Sequence, residues 1–199
     1  MGQSQRQKTF ARALIALLLA AGTAWGQNPF SVLGRVVTTT MDMRSKAEVT
    51  ADAEISAGAS KRLLDDKKAE WAGVTVLVFA QHVVLAGAVK TDAVKKRVEE
   101  LVKQDKRIRS LKNELQVGDV GSLARDTALE AEINAKLTAA KGISSVNMRW
   151  CATGGRVVLI GVAQSQHELD AALRVVRPVK GVKLLVSHLR VVPSVSPKK

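Results

Sequence analysis

The feature that most constrains this chain is that it contains one unit twice. A shift of 74 residues superposes 52–117 on 126–191 without a gap, with about a fifth of the aligned positions identical. The match is sharpest at Val83-Val84-Leu85-Ala86-Gly87 over Val157-Val158-Leu159-Ile160-Gly161. It continues through Val102/Val176, Lys106/Lys180, Leu111/Leu185, Leu115/Leu189 and Val117/Val191, while Asp52/Asp126 and Leu63/Leu137 keep the register upstream. Chance likeness between two valine-rich stretches would not hold one offset through helices and strands alike. Whatever one copy folds into, a chain of 199 residues must fold into twice. At about 66 residues each copy has a marginal core by itself, so the two are expected to support one another.

Each copy reads the same way. Asp52 and Asp126 sit where a helix N-cap acceptor belongs, and Ile55, Ala59 and Leu63 recur at fourfold spacing, mirrored by Leu129, Ile133 and Leu137. Val74, Val76 and Val78 alternate, as do Val146, Met148 and Trp150; a turn at Ala80-Gln81 or Thr153-Gly154-Gly155 leads into a second strand. Thr91 and Ser165 are N-cap candidates for a second helix, the latter with Glu168 as a capping box, and the helix ends near Asp105-Lys106 or Pro178. A third strand follows, with Leu111, Asn113, Leu115 and Val117 on one face and Ser110, Lys112, Glu114 and Gln116 on the other. The expected fold is α+β: two tandem α-β-β-α-β units, each a three-stranded mixed sheet with two helices on one face. Gly87 and Gly161 end the second strand at the same place, which suggests a backbone approach that a Cβ would obstruct.

The repeated unit, with its V-V-L-x-G second strand and terminal L-x-V strand, resembles the BON domain of bacterial envelope proteins. Met41-Asp42-Met43-Arg44-Ser45 looks like the D-x-R-S lead-in of dual-BON proteins. Residues 1–26 carry Arg6, Lys8 and Arg12 without an acid, then the apolar run Ala13 to Ala21, then Ala24-Trp25-Gly26, the pattern of a secretory signal peptide. A retained anchor is the weaker reading, because the run is about half the roughly 20 residues a spanning helix needs. The organisation expected is a signal peptide at 1–26, a lead-in at 27–49, BON domains at 50–118 and 122–192, and a basic tail at 193–199.

The resemblance implies a non-enzymatic periplasmic protein that associates with anionic phospholipid and supports envelope integrity or osmotic-stress tolerance. The chain departs from lipidated dual-BON proteins in having no cysteine near the cleavage pattern to accept a lipid. In those proteins an aromatic residue near the start of the second copy's first helix reaches into lipid. The matching position here is Ala128, so lipid binding by that helix is expected to be weakened or moved.

Composition agrees with a chain that binds and performs no reaction. One cysteine, three histidines in no metal-ligand spacing and 3% aromatic residues exclude a disulfide framework and any zinc site needing two thiolates, and offer no catalytic constellation; no cofactor or metal is expected. The formal net charge is +13, of which three charges belong to residues 1–26. Of the remaining excess, 50–118 hold 13 Lys+Arg against 10 Asp+Glu, and 122–192 hold 10 against 5. Nucleic acid is not an expected partner: a signal peptide removes it, and too few aromatics remain for base stacking.

Candidate binding residues lie first on the opening helix of copy 2, where Leu129, Ile133 and Leu137 form a stripe flanked by Arg125, Lys136 and Lys141. Either the cations meet headgroups while the stripe dips below them, or the stripe is the core face. The densest basic run follows Lys95, Lys96 and Arg97, with Glu99, Glu100 and Asp105 among the cations. Leu77 and Phe79 on the first strand of copy 1, and Leu184 and Val186 on the last strand of copy 2, occupy rows that face away from the helices. A sheet with helices on one face has no second layer, so these four are interface candidates for packing between copies, for cover by the lead-in at 28–50, or for envelope protein partners. Cys151 falls on the same outward row and Trp150 on the inward one. Oligomeric state is not legible.

Overall fold

Ser45, not Asp52, starts the first helix. In the computed structural model, which describes residues 42–67, 71–118 and 122–192, the Ser45 hydroxyl accepts the Glu48 N–H at 3.2 Å while the Glu48 carboxylate accepts the Ser45 N–H at 3.0 Å. That complete capping box carries α1 over Lys46–Asp65, into the stretch expected to be lead-in. The corresponding α3, Leu123–Ala139, starts one turn later on the shifted numbering, at Ser122, whose side chain makes no capping bond. The expected signal peptide 1–26, the first part of the lead-in and the tail 193–199 lie outside the described residues.

Copy 1 continues through a short 3₁₀ turn at Trp71–Gly73 into β1 (Val74–Phe79), β2 (His82–Val89), α2 (Asp92–Lys103), β3 (Ser110–Asn113) and β4 (Gln116–Val117). Copy 2 follows α3 with β5 (Met148–Thr153), β6 (Arg156–Ala163), α4 (Gln166–Val176) and β7 (Leu184–Val191). Thr91 and Ser165 cap α2 and α4, each accepting the N–H of the third residue on. The capping box at Ser165 is only half made. Glu168, buried, instead accepts the Ser144 and Gln164 N–H groups at 2.7 and 2.8 Å.

The chain is thus α+β, with four helices and two mixed sheets among the described residues. In one sheet β1 pairs antiparallel with β2, and β3 and β4 both run parallel to β2. In the other the order is β5-β6-β7, antiparallel then parallel. The single third strand expected of copy 1 is broken at Glu114-Leu115. Lys95 Nζ takes the Leu115 carbonyl at 2.6 Å, and Asn113 Nδ2 ties the strand to α2 through the Lys95 carbonyl at 3.2 Å and Glu99 at 2.8 Å. In copy 2 Leu169, Leu173 and Ser187 stand at the positions of Lys95, Glu99 and Asn113, these side-chain bonds are not made, and β7 runs unbroken.

Asp52 and Asp126 are not N-caps. Each lies inside its helix and accepts backbone N–H groups from the hairpin turn of its own copy: Asp52 from Ala80 at 2.8 Å and Gln81 at 2.6 Å, Asp126 from Gly154 at 3.0 Å. Both hairpins turn with two successive residues at positive φ, Ala80 and Gln81 in copy 1, Gly154 and Gly155 in copy 2. Glycine adopts that conformation freely and other residues do not. Asp52 therefore holds a turn that its own residues resist.

Gly87 and Gly161 do not end their strands, which continue to Val89 and Ala163. They have φ of 109° and 146°, and a Cβ would stand 2.0 Å from the Gly73 carbonyl oxygen in one copy and 2.1 Å from that of Asn147 in the other. The close approach is where β2 and β6 pass the residue just before β1 and β5.

Three cores result. Ile55, Ala59, Leu63, Val98, Leu101 and Val102 close on Val78, Val83, Leu85 and Val89. Leu129, Ile133, Leu137, Ala172 and Val176 close on Met148, Trp150, Val157 and Leu159. The third draws on both copies: Leu77, Phe79, Val84 and Ala86 pack with Cys151, Val158, Ile160 and Val162. Odd and even positions of each strand point to opposite faces, so the helices cover one face of each sheet and the two sheets cover each other.

Candidate functional site

The rows that faced no layer in the sequence meet at this seam. Leu77 and Phe79 are fully buried in it, and Val186 packs against its margin. Leu184 does not; it overhangs the end of β7 and is 49% exposed. Cys151 is buried there too, and burial pushes its thiol up to about 11, away from the thiolate that reactivity requires. Trp150 lies on the helix side, its indole N–H donating to the Glu130 carbonyl at 3.3 Å.

Polar groups close the seam at its rim. Glu114 Oε1 meets His188 Nε2 at 3.0 Å and the other oxygen pairs with Arg156, so one carboxylate of copy 1 holds two side chains of copy 2. Glu114 and His188 occupy equivalent positions, 74 apart. Gln116 Nε2 donates to the Thr153 carbonyl at 3.0 Å. The lead-in joins the same seam: the Met43 N–H donates to Asn147 Oδ1 at 2.9 Å, and the buried Arg44 guanidinium pairs with Asp42 at 2.7 Å and Asp52 at 3.1 Å. It lies 4.5 Å from the centre of the Phe79 ring, with Arg149 at 5.6 Å. Burial opposes ionisation of Asp42, but its bonds to Arg44 prevail and hold its carboxyl below the usual range.

The stripe considered for lipid contact is core. Leu129, Ile133 and Leu137 are buried against Met148, Trp150 and Ala172, so they reach lipid only if copy 2 opens. Lys136 pairs with Glu132 at 3.7 Å on the exposed face, and Lys141 lies beyond the other end of α3 from Arg125. Of the six residues, Arg125 alone joins a larger cationic surface.

That surface is built at one end of copy 2. Asp126 on Gly154 brings the start of α3 to the hairpin turn, the Lys183 N–H donates to the Gly155 carbonyl at 2.8 Å, and Gly181 lies against Leu129. The start of α3, the hairpin turn and the 177–183 connection therefore converge. There Arg125, Arg174, Arg177, Lys180 and Lys183 are exposed, with no ion pair to any described residue. Leu123, 41% exposed, and Leu184 stand among them. In the basic run of copy 1 the arginines are paired, Arg97 with Asp66, Arg107 with Asp105 and Glu54, and Arg109 with Glu48, while Lys96, Lys103, Lys106 and Lys112 are exposed with no ion pair to any described residue. The Arg107 bonds, helped by Arg62, outweigh burial and hold the Asp105 carboxyl far below the carboxylate range.

Sequence reasoning missed Leu123, Arg174, Arg177, Lys180 and Lys183. The signal was present in the shift of 74. It sets Ser122, Ala128, Ala140 and Val179 of copy 2 on Glu48, Glu54, Asp66 and Asp105, the acids that pair with Arg97, Arg107 and Arg109 of copy 1.

Comparison with known proteins follows the same division of the chain. The family model of the BON domain matches residues 51–119 and 125–193. The chain is similar to an uncharacterized protein in the gshII 5′ region of Anaplasma centrale, 34% identical over 124 residues, 60% of this chain and 82% of that one. It is also similar to osmotically-inducible protein Y of Escherichia coli (strain K12), 26% identical over 190 residues, 92% of this chain and 94% of that one. Among solved structures, CdsD, a structural protein of the type III secretion system of Chlamydia trachomatis, aligns with a TM-score of 0.32 at 13% identity, over 71% of this chain and 65% of that one.

Proposed function

This chain belongs to the BON-domain family and carries the domain twice, and on that premise we propose that it is a periplasmic, peripheral membrane-binding protein of the bacterial envelope that serves osmotic-stress tolerance. The stress role rests on its likeness to osmotically-inducible protein Y; the compartment rests on the family and on residues 1–26. The observation that carries the binding mode is the unpaired cationic end of copy 2. Five cations around two exposed leucines fit reversible docking on anionic phospholipid, with Arg125, Arg174, Arg177, Lys180 and Lys183 toward headgroups and Leu123 and Leu184 below them. No helix among the described residues is long and apolar enough to cross a membrane.

The alternative, a scaffold that binds envelope proteins through its sheet faces, has less to work with. Each sheet is covered by helices on one side and by the other sheet on the second. Flotation with vesicles containing phosphatidylglycerol or cardiolipin separates the two. Binding at low ionic strength that falls away at high salt is expected, since screening shortens to about 3 Å at 1 M. Replacing Arg177, Lys180 and Lys183 by Gln should weaken it by about 3 kcal/mol, at about 1 kcal/mol per cation. No flotation with either lipid at low salt would sink the proposal.

A further inference from the structure

The last strand of copy 2 is the edge of its sheet: β7 pairs with β6 and, among the described residues, with no other strand. The Leu184 and Val192 N–H groups donate to the Gly155 and Ala163 carbonyls, at the two ends of β6, at 3.3 and 2.8 Å, so the even-numbered residues bond β6. Neighbouring residues of a strand turn their N–H and C=O groups to opposite sides. The Leu189 N–H accordingly makes its bond elsewhere, to Ser187 Oγ at 3.3 Å. Leu185, Ser187, Leu189 and Val191 therefore present their main-chain groups at the free edge. No residue of β7 is buried, whereas every residue of β6 after Arg156 is.

Folded proteins guard such edges by breaking or bending them and by placing Pro or Lys within them. Copy 1 does so: its equivalent strand is split at Glu114-Leu115, the Leu115 carbonyl is taken by Lys95, and Lys112 stands exposed in β3. Copy 2 keeps β7 in one run with no Pro or Lys inside it. The two rows of side chains along that run are graded in opposite senses. On the seam side Leu184 and Val186 give way to His188 and Arg190; on the helix side Lys183 gives way to Leu185, Leu189 and Val191. Lys183 and Arg190 have no ion pair to any described residue, and the sequence 171–192 holds no acid. Glu114, which reaches β7 through His188, is already shared with Arg156. A second copy of β7 would set this cationic strand against itself, and like charges across a strand pair are unfavourable.

We propose that the free edge of β7 binds an extended acidic polypeptide segment by strand addition. The segment's main chain completes the ladder at Leu185, Ser187, Leu189 and Val191, and a carboxylate near each of its ends meets Lys183 and Arg190. Those two cations are seven residues apart and on opposite faces of the strand, so the segment that fits carries its acids at the same spacing, with β-branched or apolar residues between them. Strand addition uses an edge, which the covering of both sheet faces leaves open. Lys183 and Leu184 are shared with the surface proposed for vesicle docking; Ser187 to Val191 are not.

The test uses the full chain and fluorescein-labelled eight-residue peptides with Glu at both ends and alternating Thr and Val between, read by anisotropy. The acidic peptide should bind saturably, and the same peptide with Lys at both ends about tenfold more weakly or worse. A version N-methylated on the amides that face β7 should not bind. Ser187→Pro removes an outward N–H that the β6 ladder does not use, so it should abolish binding while urea denaturation stays near wild type. Lys183→Gln and Arg190→Gln should each weaken the acidic peptide about threefold and leave the Lys peptide no weaker. Equal binding of the acidic and Lys peptides, or undiminished binding of the N-methylated one or by folded Ser187→Pro, overturns the proposal. So does a dimer in sedimentation that Ser187→Pro returns to monomer, which would give the edge to a second copy. Ser187→Pro should keep flotation with anionic vesicles, so this inference and the vesicle reading fail separately.

Discussion

In copy 1, Arg97, Arg107 and Arg109 face Asp66, Asp105 with Glu54, and Glu48. In copy 2 the same positions of the acids hold Ala140, Val179 with Ala128, and Ser122, and the cations of that end stand in solvent. The cores differ little, since Ile55/Leu129, Leu63/Leu137, Leu85/Leu159 and Val102/Val176 do the same packing in both. Duplication has therefore kept what folds the unit and altered what the unit shows to a partner. An exposed pair such as Arg107–Glu54 contributes little to stability and its acid could be lost at small cost, whereas the buried Asp105 gives way in copy 2 to an equally buried Val179. Loss of these acids changes the local field far more than the fold.

The comparison breaks most readily at what the copies share. Gly87→Ala and Gly161→Ala should each destabilise by about 3 kcal/mol or more, because a Cβ 2.0 or 2.1 Å from a carbonyl oxygen forces the backbone apart. Urea denaturation measures it, and a loss under about 1 kcal/mol in either copy would refute the shared approach.

Asp52→Ala should cost about 3 kcal/mol and Asp126→Ala about 1 kcal/mol. The first frees two N–H groups of a non-glycine turn and deprives buried Arg44 of one partner, whereas the second frees one N–H of a Gly-Gly turn. Ala80→Gly should recover about 1 kcal/mol of the former, by removing the strain of positive φ. Equal losses at the two aspartates would show that the turns are held alike.

The seam can be followed through pH. The Cys151 thiol is raised from 9.0 to about 11 by burial, so its neutral form is favoured by folding. That stability is complete below pH 9 and is lost as pH rises toward about 11, because the unfolded thiol ionises first. Cys151→Ala should flatten this part of the pH profile, and a thiol reagent should modify native protein slowly at pH 8. Rapid modification there would mean that the sheets separate readily.

The smallest effect sharpens the difference at the helix starts. Arg125→Glu would give Ser122 the partner that Ser45 has in Glu48, and should add about 0.5–1 kcal/mol to stability. The same change should weaken vesicle binding by removing one cation and adding an acid. A variant that is more stable and binds vesicles unchanged would remove Arg125 from the surface.

The repeat, the order of elements, the hairpins and the helix stripes were legible in the sequence because each depends on neighbours within a few residues. Period 3.6 and period 2 marked Leu129/Ile133/Leu137 and Val74/Val76/Val78 as apolar faces, and for the first left open whether it met the core or lipid. Asp52 and Asp126 misled because an acid near a helix start serves an N-cap and a distant turn equally well. Lys95 breaking the third strand from an adjacent helix left no mark in the strand itself.

The sequence by itself determined that this protein folds one α+β unit twice and that two outward rows needed a cover. Only the tertiary structure decided that the rows cover each other, that Glu114 meets His188 across 74 residues, and which cations keep no acid. Local periodicity encodes what each element buries. The pairing of charges depends on which distant elements the closed chain brings together.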